Sequence, residues 1–192
     1  MDQRSPEWYA IRLGKWTASS FAALMADPKT ETFSGIVKDK AWERLTGEPT
    51  DFYCNAAMQH GIDYEDEARG WYEFETGRMV EQVGFLVHPA LPTVGCSPDG
   101  LADGGMLEIK CPQPRGHLET MTGRKVPAKY RWQVQGQMWI AGLPWCDFVS
   151  YHPATGGIVI RVEASEKDAA ALAERVGYAE AEVSNLLERI NA

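Results

Sequence analysis

The sequence contains no Cys-x-x-Cys pair, no long apolar run and no overall excess of positive charge. Each absence narrows the reading. The four cysteines, Cys54, Cys96, Cys111 and Cys146, read as reduced thiols rather than as a disulfide framework or a zinc site. No segment approaches the ~18 apolar residues of a membrane span. Residues 1–16, "MDQRSPEWYAIRLGKW", lack the basic-then-apolar order of a signal peptide. The expectation is a cytoplasmic protein without membrane contact. His60, His88, His117 and His152 share no metal-ligand spacing and take no role. There are no internal repeats and no low-complexity linker. A net charge of −8 argues mildly against nucleic acid as a partner.

What is present is a chain of 192 residues, 44% hydrophobic with seven tryptophans, enough for one domain over residues 1–192 with a sizeable core. The charge is also segregated, which makes the total a poor guide. From Lys110 to Arg131 there are six basic residues against one acid, Glu119, a local +5. Such a window is either a solvated loop or a phosphate-binding face.

Local signals divide the chain into helices and strands. "SPEWYAIRLG" predicts a short helix capped by Ser5, with Pro6 in its first turn. "TASSFAALMA" predicts a second, capped by Thr17. Residues 27–35 read as a polar loop, followed by a helix from about Gly35 to Thr46. "IDYEDEARGWYEFETG" predicts a strong helix closed by Gly77. "MVEQVGFLVHP", "TVGCSPDG" and "MLEIKCP" read as strands, and residues 113–128 as loop. "AKYRWQVQGQMWIAG" reads as a helix, "WCDFVSYHP" and "GGIVIRVEA" as paired strands, and the C-terminal segment as a long helix capped by Ser165. Mixed strands flanked by helices give an α/β or α+β fold.

The stretch from Val94 to Pro112, "VGCSPDGLADGGMLEIKCP", carries the chemistry. Side chains two apart on a strand share a face, so Glu108 and Lys110 point together while Leu107 and Ile109 point into the core. The turn at Asp103-Gly104-Gly105 folds the chain back and can bring Asp99 beside Glu108. Two close carboxylates repel unless a cation joins them. Hard oxygen donors suit magnesium or manganese. Such an ion polarises a phosphoryl oxygen and acidifies water, and a lysine can hold that water or steady charge on phosphorus. The spacing of acid, acid and lysine alone is weak, because most Glu-x-Lys strands are solvated faces.

The flanking words are more specific. "WYAIRLGKWTASSF", "GIDYEDEAR", "CSPDGL", "LEIKCP" and "QVQGQMW" stand in the order and near-spacing of the phage lambda exonuclease (YqaJ-like) viral recombinases, within the PD-(D/E)XK nuclease superfamily. The chain resembles that family over nearly its whole length. The resemblance implies a restriction-endonuclease-like core, a mixed central sheet flanked by helices. It implies a processive, metal-dependent 5′→3′ exonuclease on linear duplex DNA, releasing 5′-mononucleotides and leaving a 3′ overhang for recombination by strand annealing. Asp99 and Glu108 look like metal ligands, with the Ile109 carbonyl and Glu65 as further ones. The cofactor would be Mg2+, with Mn2+ an alternative, at two ions per site. Lys110 looks like the catalytic lysine, and Gln133 matches the family's active-site glutamine. Arg12, Ser19 and Ser97 match the pocket for the 5′-phosphate, and Arg115 matches it more loosely. Met58 lies where the family places an apolar wedge at the DNA end. Partners implied are duplex DNA ends, a single-strand annealing protein and two further copies in a homotrimeric ring, in a bacterial cytoplasm. Taken singly, Arg12, Ser19, Glu65 and Met58 would each read as ordinary surface or packing residues.

Two other readings stand beside this one. One is a non-catalytic DNA-binding ring or assembly module that kept the fold. The other is a superfamily endonuclease that cuts internally.

Overall fold

The computed structural model describes residues 2–50 and 56–192. Cys54 and the side chain of Met58 lie outside the described residues, and with them the wedge expectation. The element order is α1 (Pro6–Arg12), β1 (Trp16–Thr17), α2 (Phe21–Leu24), α3 (Glu31–Thr46), α4 (Ala56–Thr76), β2 (Leu86–His88), β3 (Leu91–Cys96), β4 (Gly100–Ala102), β5 (Gly105–Lys110), α5 (Pro114–Gly123), α6 (Arg131–Ala141), β6 (Trp145–His152), β7 (Gly156–Glu163) and α7 (Glu166–Asn191). Three strands pair as β1-β3-β2 and four as β4-β5-β6-β7. The β5–β6 pair is parallel and β4–β5 and β6–β7 are antiparallel, so the larger sheet is mixed.

The β4–β5 hairpin turns on Asp103 and Gly104, both at positive φ (50° and 79°). That is the type I′ requirement for two-residue hairpins, and an Asp-Gly pair meets it at low cost. The turn sets Gly100 opposite Leu107, which returns the Asp99 end of the hairpin to the middle of β5.

Helices cover both faces of β5. Leu107 and Ile109 pack with Ala68 and Tyr72 of α4. Met106 packs with Val134 and Met138 of α6, together with Phe148 of β6. Alternation therefore turns Glu108 toward α6, into a covered face rather than toward water. A third cluster joins Trp16, Phe21, Val94 and Ile140 to Leu172, Val176 and Val183 of α7. Helix α6 thus bridges the two sheets. Its close approach depends on Gly136, where a Cβ would sit 2.2 Å from Cδ2 of the buried Phe21. Gly136→Ala is expected to cost about 1–3 kcal/mol by overpacking and to lower Tm by about 2–4 °C for each of those kcal/mol. Thermal melting checks it; an unchanged Tm would mean that Phe21 moves freely.

Several elements differ from expectation. Helix α3 begins at Glu31, four residues ahead of Gly35, because the Thr30 hydroxyl accepts from Phe33 N–H at 3.3 Å and caps it there. The second helix is broken: Thr17 belongs to β1 opposite Gly95, and a single 3-10 turn (Ala18–Ser20) precedes α2. Thr17 makes no capping bond. Of "MVEQVGFLVHP" only Leu86–His88 is a strand, with one isolated bridge between Glu81 and Leu101. Residues 114–123 form a helix rather than a loop, held by burial of His117 and Thr120 against the sheet. The caps at Ser5 and Ser165 form as expected, to Trp8 N–H and Asp168 N–H. Cys96, Cys111 and Cys146 are buried free thiols, and burial pushes the Cys96 thiol up to about 12.

Candidate active site

Asp99 follows β3 and sits at the mouth of the hairpin. Its backbone N–H donates to Leu107 O at 3.1 Å, and its Oδ2 accepts from Ile109 N–H at 2.6 Å. The carboxylate is therefore pinned against β5 by backbone alone. Glu108 is fully buried. Gln133 Nε2 donates to its Oε1 at 2.5 Å and Gln137 Nε2 to its Oε2 at 2.6 Å. Lys110 Nζ makes a close ion pair with Glu108 Oε1. The two glutamines stand one turn apart on α6 and straddle one carboxylate. Gln135 faces away, donating to Glu163 O and accepting from Ser165 N–H, so it pins β7 to α7. The Oε1 of Gln137 is buried with no protein partner among the described residues.

Glu65 stands on α4, held by Arg69 Nη2 at 2.8 Å and by Arg4. Arg69 also donates to Asp66 at 2.6 Å and to the Asp99 carbonyl at 3.3 Å. This guanidinium, not anticipated from the sequence, ties α4 to the turn that carries Asp99. Its signal was the i,i+4 spacing of Glu65 and Arg69.

The electrostatics are those of a site short of positive charge. Burial, then the charges of Glu108 and Glu65, push the Asp99 carboxyl well above its ordinary range, with Lys110 and the Ile109 bond opposing. Burial would lower the Lys110 ammonium, but Glu108 and Asp99 outweigh it and hold it above its ordinary value. Lys110 is a cation at neutral pH.

Among the described residues no three His, Cys, Asp or Glu side chains form a ready-made metal cage. Glu65 and Glu108 are occupied by arginine, glutamine and lysine donors, which explains it. The donor set still fits a hard divalent ion: carboxylate oxygens, with Asp99 destabilised by its neighbours as a carboxylate awaiting a cation would be. A consequence can be measured. A raised folded-state pKa means that stability is lost as pH rises from the unfolded value, about 3.9, through the folded one. Asp99→Asn should therefore melt above wild type at pH 8 in chelator, with the difference gone near pH 3. A variant melting below wild type at pH 8 would contradict the stored repulsion.

A second cluster lies at the end of β3. Trp8 Nε1 donates to Ser97 Oγ at 2.8 Å, and Arg12 Nη1 to the same oxygen at 3.3 Å. The Arg12 guanidinium lies 4.0 Å from the Trp8 ring centroid and 5.7 Å from that of Phe85. Burial lowers its pKa, yet it makes no ion pair among the described residues. Ser19 joins through Thr17, its hydroxyl 3.1 Å from that of Thr17 and Thr17 opposite Gly95. Arg115 is not brought here: 93% of its side chain is exposed, on α5, paired with Glu119 at 3.2 Å. Trp8 is the residue that sequence reading missed; its i,i+4 relation to Arg12 was the available clue.

Helices on both faces of a mixed sheet, and an acid, an acid and a lysine at one hairpin, make this the alkaline-exonuclease fold. The crystal structure of an alkaline exonuclease (LHK-Exo) from Laribacter hongkongensis matches with TM-score 0.91 and 38% identity, over 97% of this chain and 96% of that one. The structure of LHK-Exo in complex with dAMP matches with TM-score 0.90 and 38% identity over the same spans. A phage related exonuclease from Haemophilus somnus 129PT, 16% identical over 92% of this chain and 96% of that one, shares the fold with TM-score 0.76. The profile of the YqaJ-like viral recombinase domain matches residues 7–144, and the chain belongs to that family. No curated protein matches it.

Proposed function

We propose that the protein is a nuclease, a processive 5′→3′ exonuclease that requires a divalent metal and degrades one strand from the ends of linear duplex DNA. It releases 5′-mononucleotides and leaves a 3′ overhang for recombination by a single-strand annealing protein. The observation that carries this reading is the convergence of Asp99, Glu108 and Lys110 at one hairpin, in a chain 38% identical to an alkaline exonuclease.

Asp99 and Glu108 would hold the ion, Mg2+ or Mn2+, with the Ile109 carbonyl and Glu65 as further donors. The bound ion supplies Lewis acidity to the phosphoryl group and to the attacking water. Gln133 and Gln137 orient the Glu108 carboxylate by fixing both of its oxygens. Lys110 is placed to hold and activate the attacking water or to steady negative charge gathering on the phosphorus. Water oxygen bonds to phosphorus as the bond to the 3′-oxygen breaks, and the one proton that the water gives up balances the one that the leaving 3′-oxygen takes up. Arg12, with Ser97 and Ser19, supplies for the 5′-phosphate of the strand being cut a guanidinium that has no carboxylate partner among the described residues.

Processivity in an acidic chain calls for enclosure as well as charge. A homotrimeric ring lined by segment 110–131, with its acids outward, reconciles a charge of −8 with duplex binding. A strict monomer at micromolar concentration, by light scattering, would count against the ring. No helix among the described residues is long and apolar enough to cross a membrane; the setting proposed is a bacterial cytoplasm.

End-labelled duplex, with and without Mg2+, tests activity, polarity and metal need together. Digestion of closed circular DNA would instead favour an endonuclease, and inertness on all substrates a binding module. Arg12→Ala should slow digestion of 5′-phosphorylated ends roughly ten- to a hundredfold, the worth of a charged hydrogen bond. An equal loss on 5′-hydroxyl ends would remove the pocket.

A further inference from the structure

A cavity of about 230 Å³ opens beside Lys110, between α5, the turn Ala128–Tyr130 and β6. Its lining includes Lys110, Lys125, Lys129, Tyr130 and Ser150, with Glu119 the single acid among the described residues. Glu119 is occupied by Arg115, and Lys110 by Glu108. Lys125 and Lys129 are exposed and make no ion pair among the described residues. The Tyr130 ring gathers the charges: Lys129 Nζ lies 4.8 Å and Lys110 Nζ 5.3 Å from its centroid. Tyr130 itself rests on Phe148, with ring centroids 5.6 Å apart. Ser150 adds a hydroxyl already oriented by His117 Nδ1 at 2.8 Å. The wall is thus aromatic and rigid, the charge uncompensated, and a fixed hydroxyl is at hand, a combination suited to a phosphate group.

The placement says which phosphate. Ser97 stands at the β3 end of the site, two residues ahead of Asp99, and Arg12 of α1 bonds to it there, whereas the cavity lies in the crossover that leaves Lys110. We infer that this cavity takes a backbone phosphodiester of the strand being cut, on the 3′ side of the scissile bond, so that the strand is gripped on both sides of Lys110. The inference rests on the exonuclease reading, because it takes its orientation from a 5′-phosphate at Arg12. The same chemistry would accept the phosphate of a free mononucleotide, and the test separates the two sources.

The experiment compares wild type with the double variant Lys125→Ala/Lys129→Ala in chelator, where no cutting occurs. Binding of a fluorescent blunt duplex is followed from 50 to 200 mM KCl. The variant should bind about tenfold more weakly, and its plot of log affinity against log salt should be shallower by about 2, one for each phosphate-facing lysine. Its Tm should be unchanged. Lys29→Ala/Lys38→Ala, a distant exposed pair, should retain the wild-type slope. Unchanged affinity and slope in the cavity variant, or an equal loss in the distant pair, would overturn the assignment. So would retained duplex affinity together with loss of dAMP binding by the variant, measured by calorimetry, which would make the cavity a mononucleotide site. The exonuclease reading fails separately: wild type that leaves linear duplex intact with Mg2+ defeats it, while the binding comparison still reads the cavity.

Discussion

Lys110→Ala should abolish hydrolysis, by about 10²- to 10⁴-fold in turnover, while duplex binding stays intact or improves. Lys110 closes β5 with its ammonium on Glu108 Oε1 and against the Tyr130 ring. Burial works against that charge, and the adjoining carboxylates hold it in place. A fixed cation in a covered site needs little reorganisation when charge gathers on phosphorus, so its removal falls on the transition state more than on binding. Lys110→Arg should not restore activity, since a planar guanidinium cannot occupy the place of a compact ammonium. Single-turnover digestion of end-labelled duplex, paired with anisotropy binding, measures both halves. Full activity in the alanine variant would strip the lysine of its role.

The largest expected loss of stability lies elsewhere, at Asp147 on β6. This carboxylate is 1% exposed and faces α4. Arg161 binds it through Nε and Nη2, both at 2.8 Å, Tyr72 OH donates at 2.8 Å and Arg78 Nη1 at 3.3 Å. Burial, then the bond to Asp147, pushes the Tyr72 hydroxyl up to about 12. Asp147→Ala leaves a buried hydroxyl and two guanidinium groups around a void. Removing one partner of a buried pair costs about 3–5 kcal/mol, and the partial exposure of Arg161 points to the lower end. At about 2–4 °C per kcal/mol, Tm should fall by about 6–12 °C. Tyr72→Phe, which deletes one hydrogen bond, should cost about 1 kcal/mol. Turnover per folded molecule should stay near wild type, because Glu108 faces the opposite side of the sheet. A Tm within a degree of wild type would show that the cluster contributes nothing net.

The sequence made local features legible and long-range ones much less so. Alternation along "MLEIKCP" and the Asp-Gly turn were enough to expect a strand with Glu108 and Lys110 on one face. They could not tell that α6 covers that face, because burial of Glu108 depends on residues 25 and 29 positions away, Gln133 and Gln137. Helix α5 was hidden by Pro114, Gly116 and Gly123, which signal loop locally; it is tertiary burial of His117 and Thr120 that overrides them. Asp147 looked like one polar residue of an alternating strand, and its partner Tyr72 is 75 residues away. The Arg12 and Ser97 pair was legible only through family resemblance, since the two lie 85 residues apart. Arg115, matched by the loosest spacing, is the position that stands apart.

The parallel pairing of β5 with β6 obliges the chain to leave Lys110, travel across the end of the sheet and return at Trp145. That excursion, α5 through α6, carries the lysine-rich wall between two anchored helices: His117 and Thr120 bury α5 against the sheet and α6 is locked in the core, while residues 124–130 between them bury no side chain fully. Length changes confined to residues 124–130 would therefore reshape the lysine-bearing wall without unseating α5, α6 or the Asp99–Lys110 hairpin, and grafting that short connection is the natural route to altered handling of DNA ends.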